Sequence, residues 1–208
     1  VNFGSVLHRP KGVRHILYFA KLFTAALQAD IMYAQDPVSV GLPAKWVARL
    51  LRKPFLLKIV GDYAWEQGSQ RYGITDKLDD FAFKNMKTSM QADGTAYPIA
   101  VRKLKQVQLG VALAADQIIV PSEYLKRIVT AWGVPAEKIV VIYNGFETAS
   151  LASIPAKPLA LGNRSIVSVG RLVPWKGFDS LIEAVAQLAA TSVSVSGTCA
   201  DVRLYILG

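Results

Sequence analysis

Residues Ser165–Asp179 read Ser-Ile-Val-Ser-Val-Gly-Arg-Leu-Val-Pro-Trp-Lys-Gly-Phe-Asp, and no other stretch restricts the fold as tightly. Ile166, Val167 and Val169 form an apolar run of strand length, which predicts a buried strand ending at Gly170. Beyond Gly177, Phe178, Leu181, Ile182, Val185 and Leu188 recur at helical spacing and predict a helix to about Ala190. Arg171 and Lys176 then fall between the carboxyl end of a strand and the amino end of a helix. Open α/β sheets bind ligands at that edge, and unpaired helix N–H groups there favour anions. Arg171 offers a planar fork of donors, Lys176 a mobile point charge, and Gly177 close access to the backbone. A phosphate-bearing ligand suits that chemistry.

The preceding chain alternates strand with helix in the same way. Val13, Ile16, Leu17, Ala20, Phe23 and Leu27 share a helical face, flanked by Arg9, Lys11, Arg14 and Lys21. Asp30–Ala34 reads as a strand, and the helix after it has Trp46, Val47, Leu50 and Leu51 inward. Pro54 opens a second strand, Phe55 to Val60, which ends in Gly61-Asp62-Tyr63-Ala64-Trp65-Glu66 and a polar, irregular run from Gln67 to Asp76. Asp76 to Met90 is mixed helix, Gln91–Thr95 a break, and Pro98 opens a helix through Ile99, Leu104, Val107, Val111 and Leu113. Ser122 is the expected N-cap of a helix carrying Leu125, Ile128, Val129 and Trp132, which Gly133 and Pro135 terminate. Lys138–Tyr143 is a further strand. Such alternation implies βαβ units and a parallel sheet. The Pro- and Gly-punctuated stretch 147–163 reads as a linker, dividing a first domain, 1–146, from the start of a second, 164–208.

With 208 residues and 52% hydrophobic content the chain can bury a core, and its net charge of +9 points to an anionic partner. Nucleotide phosphate, an anionic membrane surface and nucleic acid all satisfy that charge. The lone Cys199 excludes an internal disulfide and a cysteine-based metal cluster, and fits the cytoplasm. His8 and His15 are separated by Pro10, which argues against a shared metal site and leaves both as surface residues. No apolar run reaches the length of a membrane span. The start without Met and the final strand Val202–Gly208 suggest that both ends are cut.

Val169-Gly170-Arg171-Leu172 followed by Lys176-Gly177-Phe178-Asp179 and Leu181-Ile182-Glu183-Ala184 resembles the donor-site motif of retaining GT-B glycosyltransferases, specifically the fourth family. Ala115–Lys126 and the turn Asn144-Gly145-Phe146 are similar to the closing part of that family's first domain. The resemblance implies an α/β fold of GT-B type, two Rossmann-like domains with parallel sheets, the second only partly present. It implies transfer of a sugar from a nucleotide-diphosphate sugar with retention, without a metal or other cofactor. Gly170, Arg171, Lys176 and Gly177 would hold the donor diphosphate, with Arg171 and Lys176 stabilising it as it leaves. The acceptor would be a glycan, a lipid-linked sugar or a small molecule, with no nucleic acid partner. The place implied is the cytoplasm, with peripheral contact at the inner face of an anionic membrane left open.

The family's strand-end His near the acceptor is replaced here by Asp62, so that role is not carried over. Asp62 is the remaining catalytic candidate, and Asp62, Trp65 and Glu66 are the acceptor-side group. Either carboxylate can accept a proton or a hydroxyl hydrogen bond, and Trp65 can stack on a sugar face. The alternative makes Asp62 a helix cap and Trp65 a core residue. Ser122 has no nucleophile elbow or partner His, which favours capping. The family's opening strand with its Gly-rich loop and its later glutamate pair are not found, so a fragment inactive by itself is expected. The competing readings fare worse. A dinucleotide-binding Gly-x-Gly-x-x-Gly follows no expected strand, and aromatics are not interleaved with basic residues as in a nucleic-acid module. A non-catalytic nucleotide- or polyanion-binding Rossmann-like protein is the alternative.

Overall fold

A computed structural model describes residues 11–83, 94–145, 165–194 and 202–208. The linker at 147–163, His8, the break at Gln91–Asp93 and Cys199 lie outside the described residues. The chain divides into two compact units, Val1–Asn144 and Gly145–Gly208.

In the first unit, strands β1 (Met32–Ala34), β2 (Phe55–Lys58), β3 (Gln117–Val120) and β4 (Ile139–Val141) form one sheet in that order, parallel throughout. Ala34, Leu57, Ile118 and Ile139 pair in register across the sheet, and all are buried. Successive parallel strands need crossovers, which helices supply here: α2 (Gly41–Leu51), α3 (Tyr63–Tyr72), α4 (Leu78–Phe83), α5 (Ile99–Ala114) and α6 (Glu123–Ala131). A helix α1 (Lys11–Leu27) precedes β1. The main core joins the sheet to α2, α5 and α6 through Val47, Leu57, Val111, Ile118, Ile128 and Val129.

The structure corrects several helix faces. α2 buries Gly41, Ala44, Val47 and Ala48, while Trp46 and Leu50 are 54% and 65% exposed. A Cβ on Gly41 would run into the Asp36 carbonyl oxygen and reach Val111 Cγ1 at 3.0 Å, so glycine is required where that buried row begins. α1 turns Phe19, Leu22, Phe23 and Ala26 to the core and leaves Ile16, Leu17 and Leu27 exposed. In α5 the inward residues are Val101, Gln108, Val111 and Ala112, with Ile99 and Leu113 exposed. α6 buries Leu125, Ile128 and Val129, as its spacing predicts.

The polar run after Glu66 is not irregular. It continues α3 to Tyr72, where Gly73 ends the helix in the left-handed conformation, φ 67°. Of the mixed helix expected from Asp76, the described part is α4.

In the second unit, β5 (Ser165–Val169) pairs in parallel with β6 (Arg203–Leu207), and α7 (Phe178–Ser194) follows β5. α7 runs past Ala190, its expected end, to Ser194. β5 was expected to be buried, yet Val169 is 76% exposed. Among the described residues β6 alone pairs with β5, and no described residue of this unit is fully buried.

Candidate functional site

Two strand ends carry the residues of interest. In the first unit, β2 pairing extends past Lys58, because the Ile59 N–H donates to the Ile119 carbonyl at 2.9 Å. Asp62 then leaves the strand in extended conformation and caps α3. Its Oδ1 accepts from the Trp65 N–H and from Gln108 Nε2, both at 3.0 Å. Its Oδ2 accepts from Trp132 Nε1 at 3.0 Å. Gln108 Oε1 in turn accepts from the Ala64 N–H at 3.0 Å, and the Asp62 carbonyl accepts from the Glu66 N–H at 2.9 Å. The first-turn donors of α3 at Ala64, Trp65 and Glu66 are thus satisfied within the protein. Asp62 is only 1% exposed, and Gln108 is equally buried.

Burial pushes the Asp62 carboxyl above its ordinary range, and the hydrogen bonds from Trp65, Gln108 and Trp132 and the charge of Lys105 act against that push. Of the two readings open for Asp62, the capping geometry is present.

For Trp65 the packing of the core reading is present. Its ring packs against a small core of Ala64, Ile74, Phe81, Tyr97 and Val101, and its Nε1 donates to the Asp76 carbonyl at 2.8 Å. The buried Asp76 carboxylate accepts from the Tyr97 hydroxyl. Burial, followed by that bond and the Asp76 charge, holds the Tyr97 phenol well above its usual value. Lys105 Nζ donates to the Phe81 carbonyl at 2.9 Å and stands 4.1 Å from the Phe81 ring centre and 5.3 Å from that of Tyr97.

Glu66 is half-buried, and its carboxylate folds back over Gly61 at the tip of β2. A Cβ there would come within 2.5 Å of Glu66 Oε1, so glycine makes the space. The neighbouring loop joins this edge: Ser39 Oγ donates to the Tyr63 hydroxyl at 3.3 Å, and the Val38 and Ser39 N–H groups both donate to Asp36 Oδ1.

The sequence analysis did not single out Gln108 and read Trp132 only as a residue of the helix face. A polar side chain among the apolar positions of α5 was the one available signal for Gln108. Its partner lies 46 residues away, and that of Trp132 lies 70 away.

In the second unit, Gly170 continues the strand, its N–H donating to the Leu207 carbonyl at 2.8 Å. The Val173 N–H donates to the Arg171 carbonyl at 2.9 Å, and Pro174–Lys176 form one 3-10 turn. Gly177, at φ 69°, ends that turn and α7 begins at Phe178. Gly170, Arg171, Lys176 and Gly177 therefore lie on one loop between β5 and α7, with Arg171 and Lys176 exposed. An open groove of about 530 Å³ adjoins it, lined mainly by Leu172, Val173, Pro174, Phe178 and Ile182.

Among the described residues no group of three His, Cys, Asp or Glu side chains could hold a metal ion, and no helix is long and apolar enough to cross a membrane.

Two solved structures of HepE from Anabaena share this fold. The complex with UDP aligns with a TM-score of 0.52 at 19% identity over 86% of this chain, and the complex with UDP-glucose with a TM-score of 0.55 at 18% identity over 91%. The chain spans 42% and 51% of the length of those proteins. No protein of curated function matches the sequence. The sequence profile described as Glycosyltransferase Family 4 matches residues 1–150, well over half of the chain, and the chain therefore belongs to glycosyltransferase family 4.

Proposed function

We propose that the chain is part of a retaining GT-B glycosyltransferase that moves a sugar from a nucleotide-diphosphate sugar to an acceptor. The observation that carries this reading is the exposed basic loop between β5 and α7, with Arg171 and Lys176 at the carboxyl end of a parallel strand pair. Breaking a glycosidic bond to a diphosphate concentrates negative charge on the leaving oxygens. A guanidinium and an ammonium held on one short loop stabilise that charge as it develops, which accelerates departure. Gly177, left-handed, turns the chain from the Lys176 turn into α7, whose N-terminus adds a favourable dipole. HepE carries UDP in one structure and UDP-glucose in the other, which supports a uridine nucleotide as the first donor to test.

On this reading the acceptor meets the β2 edge of the first unit, where Trp65 and Glu66 lie, and is a glycan, a lipid-linked sugar or a small molecule. Its working place is the cytoplasm, with the basic chain able to rest on the inner face of an anionic membrane.

Calorimetric titration of UDP tests the donor assignment. Arg171→Ala and Lys176→Ala should each weaken binding about 10- to 100-fold, the worth of one or two charge-assisted hydrogen bonds. Both side chains are exposed, so the thermal transition should not move. Equal affinity in wild type and both variants would sink the assignment.

A further inference from the structure

We infer that Asp62, Gln108 and Trp132 form a buried positioning triad that holds the strand-end segment Gly61–Glu66 for the acceptor, and that Glu66 is the carboxylate that meets it. This rests on the transferase reading above.

The triad draws together three separate parts of the chain: the end of β2, α5 and the residue closing α6. Asp62 accepts from Trp65 N–H, Gln108 Nε2 and Trp132 Nε1, each at 3.0 Å. A carboxylate this buried, at 1% exposure, offers no face to a substrate hydroxyl, and its bonds hold the surrounding chain instead. What the triad does fix is the first turn of α3. Gln108 bonds Ala64 N–H with one end of its amide and Asp62 with the other, so it ties cap and helix together. That turn carries Tyr63 and Glu66. The Glu66 carboxylate lies over Gly61, at the carboxyl tip of β2, on the sheet edge where α/β folds bind ligands. Asp62 therefore acts through Glu66 and Tyr63, as a positioning residue.

The test measures steady-state transfer from UDP-glucose to p-nitrophenyl glycosides by the complete enzyme of which the chain is proposed to be part, with Trp132→Phe, Gln108→Leu and Glu66→Gln beside the wild type. Trp132→Phe keeps an aromatic ring in place and removes the indole bond to Asp62; it should raise the KM for the glycoside about 5- to 10-fold and leave the KM for UDP-glucose unchanged. Gln108→Leu should do the same and speed amide exchange of Ala64 and Trp65 at least 10-fold. Glu66→Gln should raise the glycoside KM at least 10-fold and leave the KM for UDP-glucose unchanged. If Trp132→Phe and Gln108→Leu lower the melting temperature and the amount of active enzyme but leave both KM values alone, the triad is merely structural and the inference falls. It falls equally if Glu66→Gln is fully active. A wild type that binds UDP yet glycosylates no glycoside overturns the acceptor role and leaves the donor reading standing. Failure to bind UDP at all removes the transferase reading instead.

Discussion

Asp62 and Tyr97 show how burial decides what an ionisable side chain does. Removing the Asp62 carboxylate would leave the Trp65 N–H, Gln108 Nε2 and Trp132 Nε1 without their acceptor in a dry interior. Asp62→Ala should therefore cost about 3 kcal/mol, at the upper end for unsatisfied buried donors, read as a lower denaturant midpoint. Tyr97 gives a prediction in pH. Burial and the Asp76 carboxylate raise the phenol in the folded protein above its unfolded value of about 10. The folded state then keeps its proton longer than the unfolded one, so this stabilisation is complete below about pH 10 and is lost as pH rises through the folded value. Denaturant midpoints measured from pH 8 to 12 should fall across the alkaline range in the wild type, and the fall should be shallower in Tyr97→Phe. Identical slopes would show that Tyr97 is not the group responsible.

At the scale of elements, caps and close approaches carry the testable content. Ser122 Oγ accepts from the Leu125 N–H at 3.2 Å and starts α6. Ser122→Ala should cost about 1 kcal/mol in unfolding experiments, as expected of a cap. Gly41 is a stricter position, since a Cβ would overlap the Asp36 carbonyl oxygen and reach Val111 Cγ1 at 3.0 Å. Gly41→Ala should push α2 away from α5 and cost about 2 kcal/mol in a thermal or denaturant melt. An unchanged melt would mean that the β1–α2 loop yields freely. The starts and stops of α3 and α6 obey the same local rules: Asp62 and Ser122 begin them, and Gly73 ends α3. Yet only for Ser122 did the sequence favour capping over its alternative, because Asp62 stood at a strand end where a functional carboxylate is equally at home.

For the whole molecule, the two units differ in what they can sustain. Every buried core residue described lies between Ala26 and Ile139, inside the first unit. Among its described residues the second unit presents a two-stranded sheet, one α-helix and one 3-10 turn, with no fully buried side chain. Residues 1–144 should accordingly unfold in one cooperative transition when produced alone, and residues 145–208 should not, because a strand pair with so little core is marginal by itself. A cooperative circular-dichroism melt of the second piece would refute this. The strand and helix order, the parallel sheet and the basic loop at Arg171–Lys176 were legible in the sequence, since apolar period, turn residues and caps act over a few neighbouring positions. Tertiary structure alone decided which face of α1, α2 and α5 turns inward: helical spacing marks more than one apolar row, and the row that meets the sheet depends on partners far along the chain, leaving Trp46 and Leu50 exposed. It alone decided the surroundings of Asp62 as well, because Gln108 and Trp132 come from 46 and 70 residues away and no local pattern encodes a hydrogen bond across that distance.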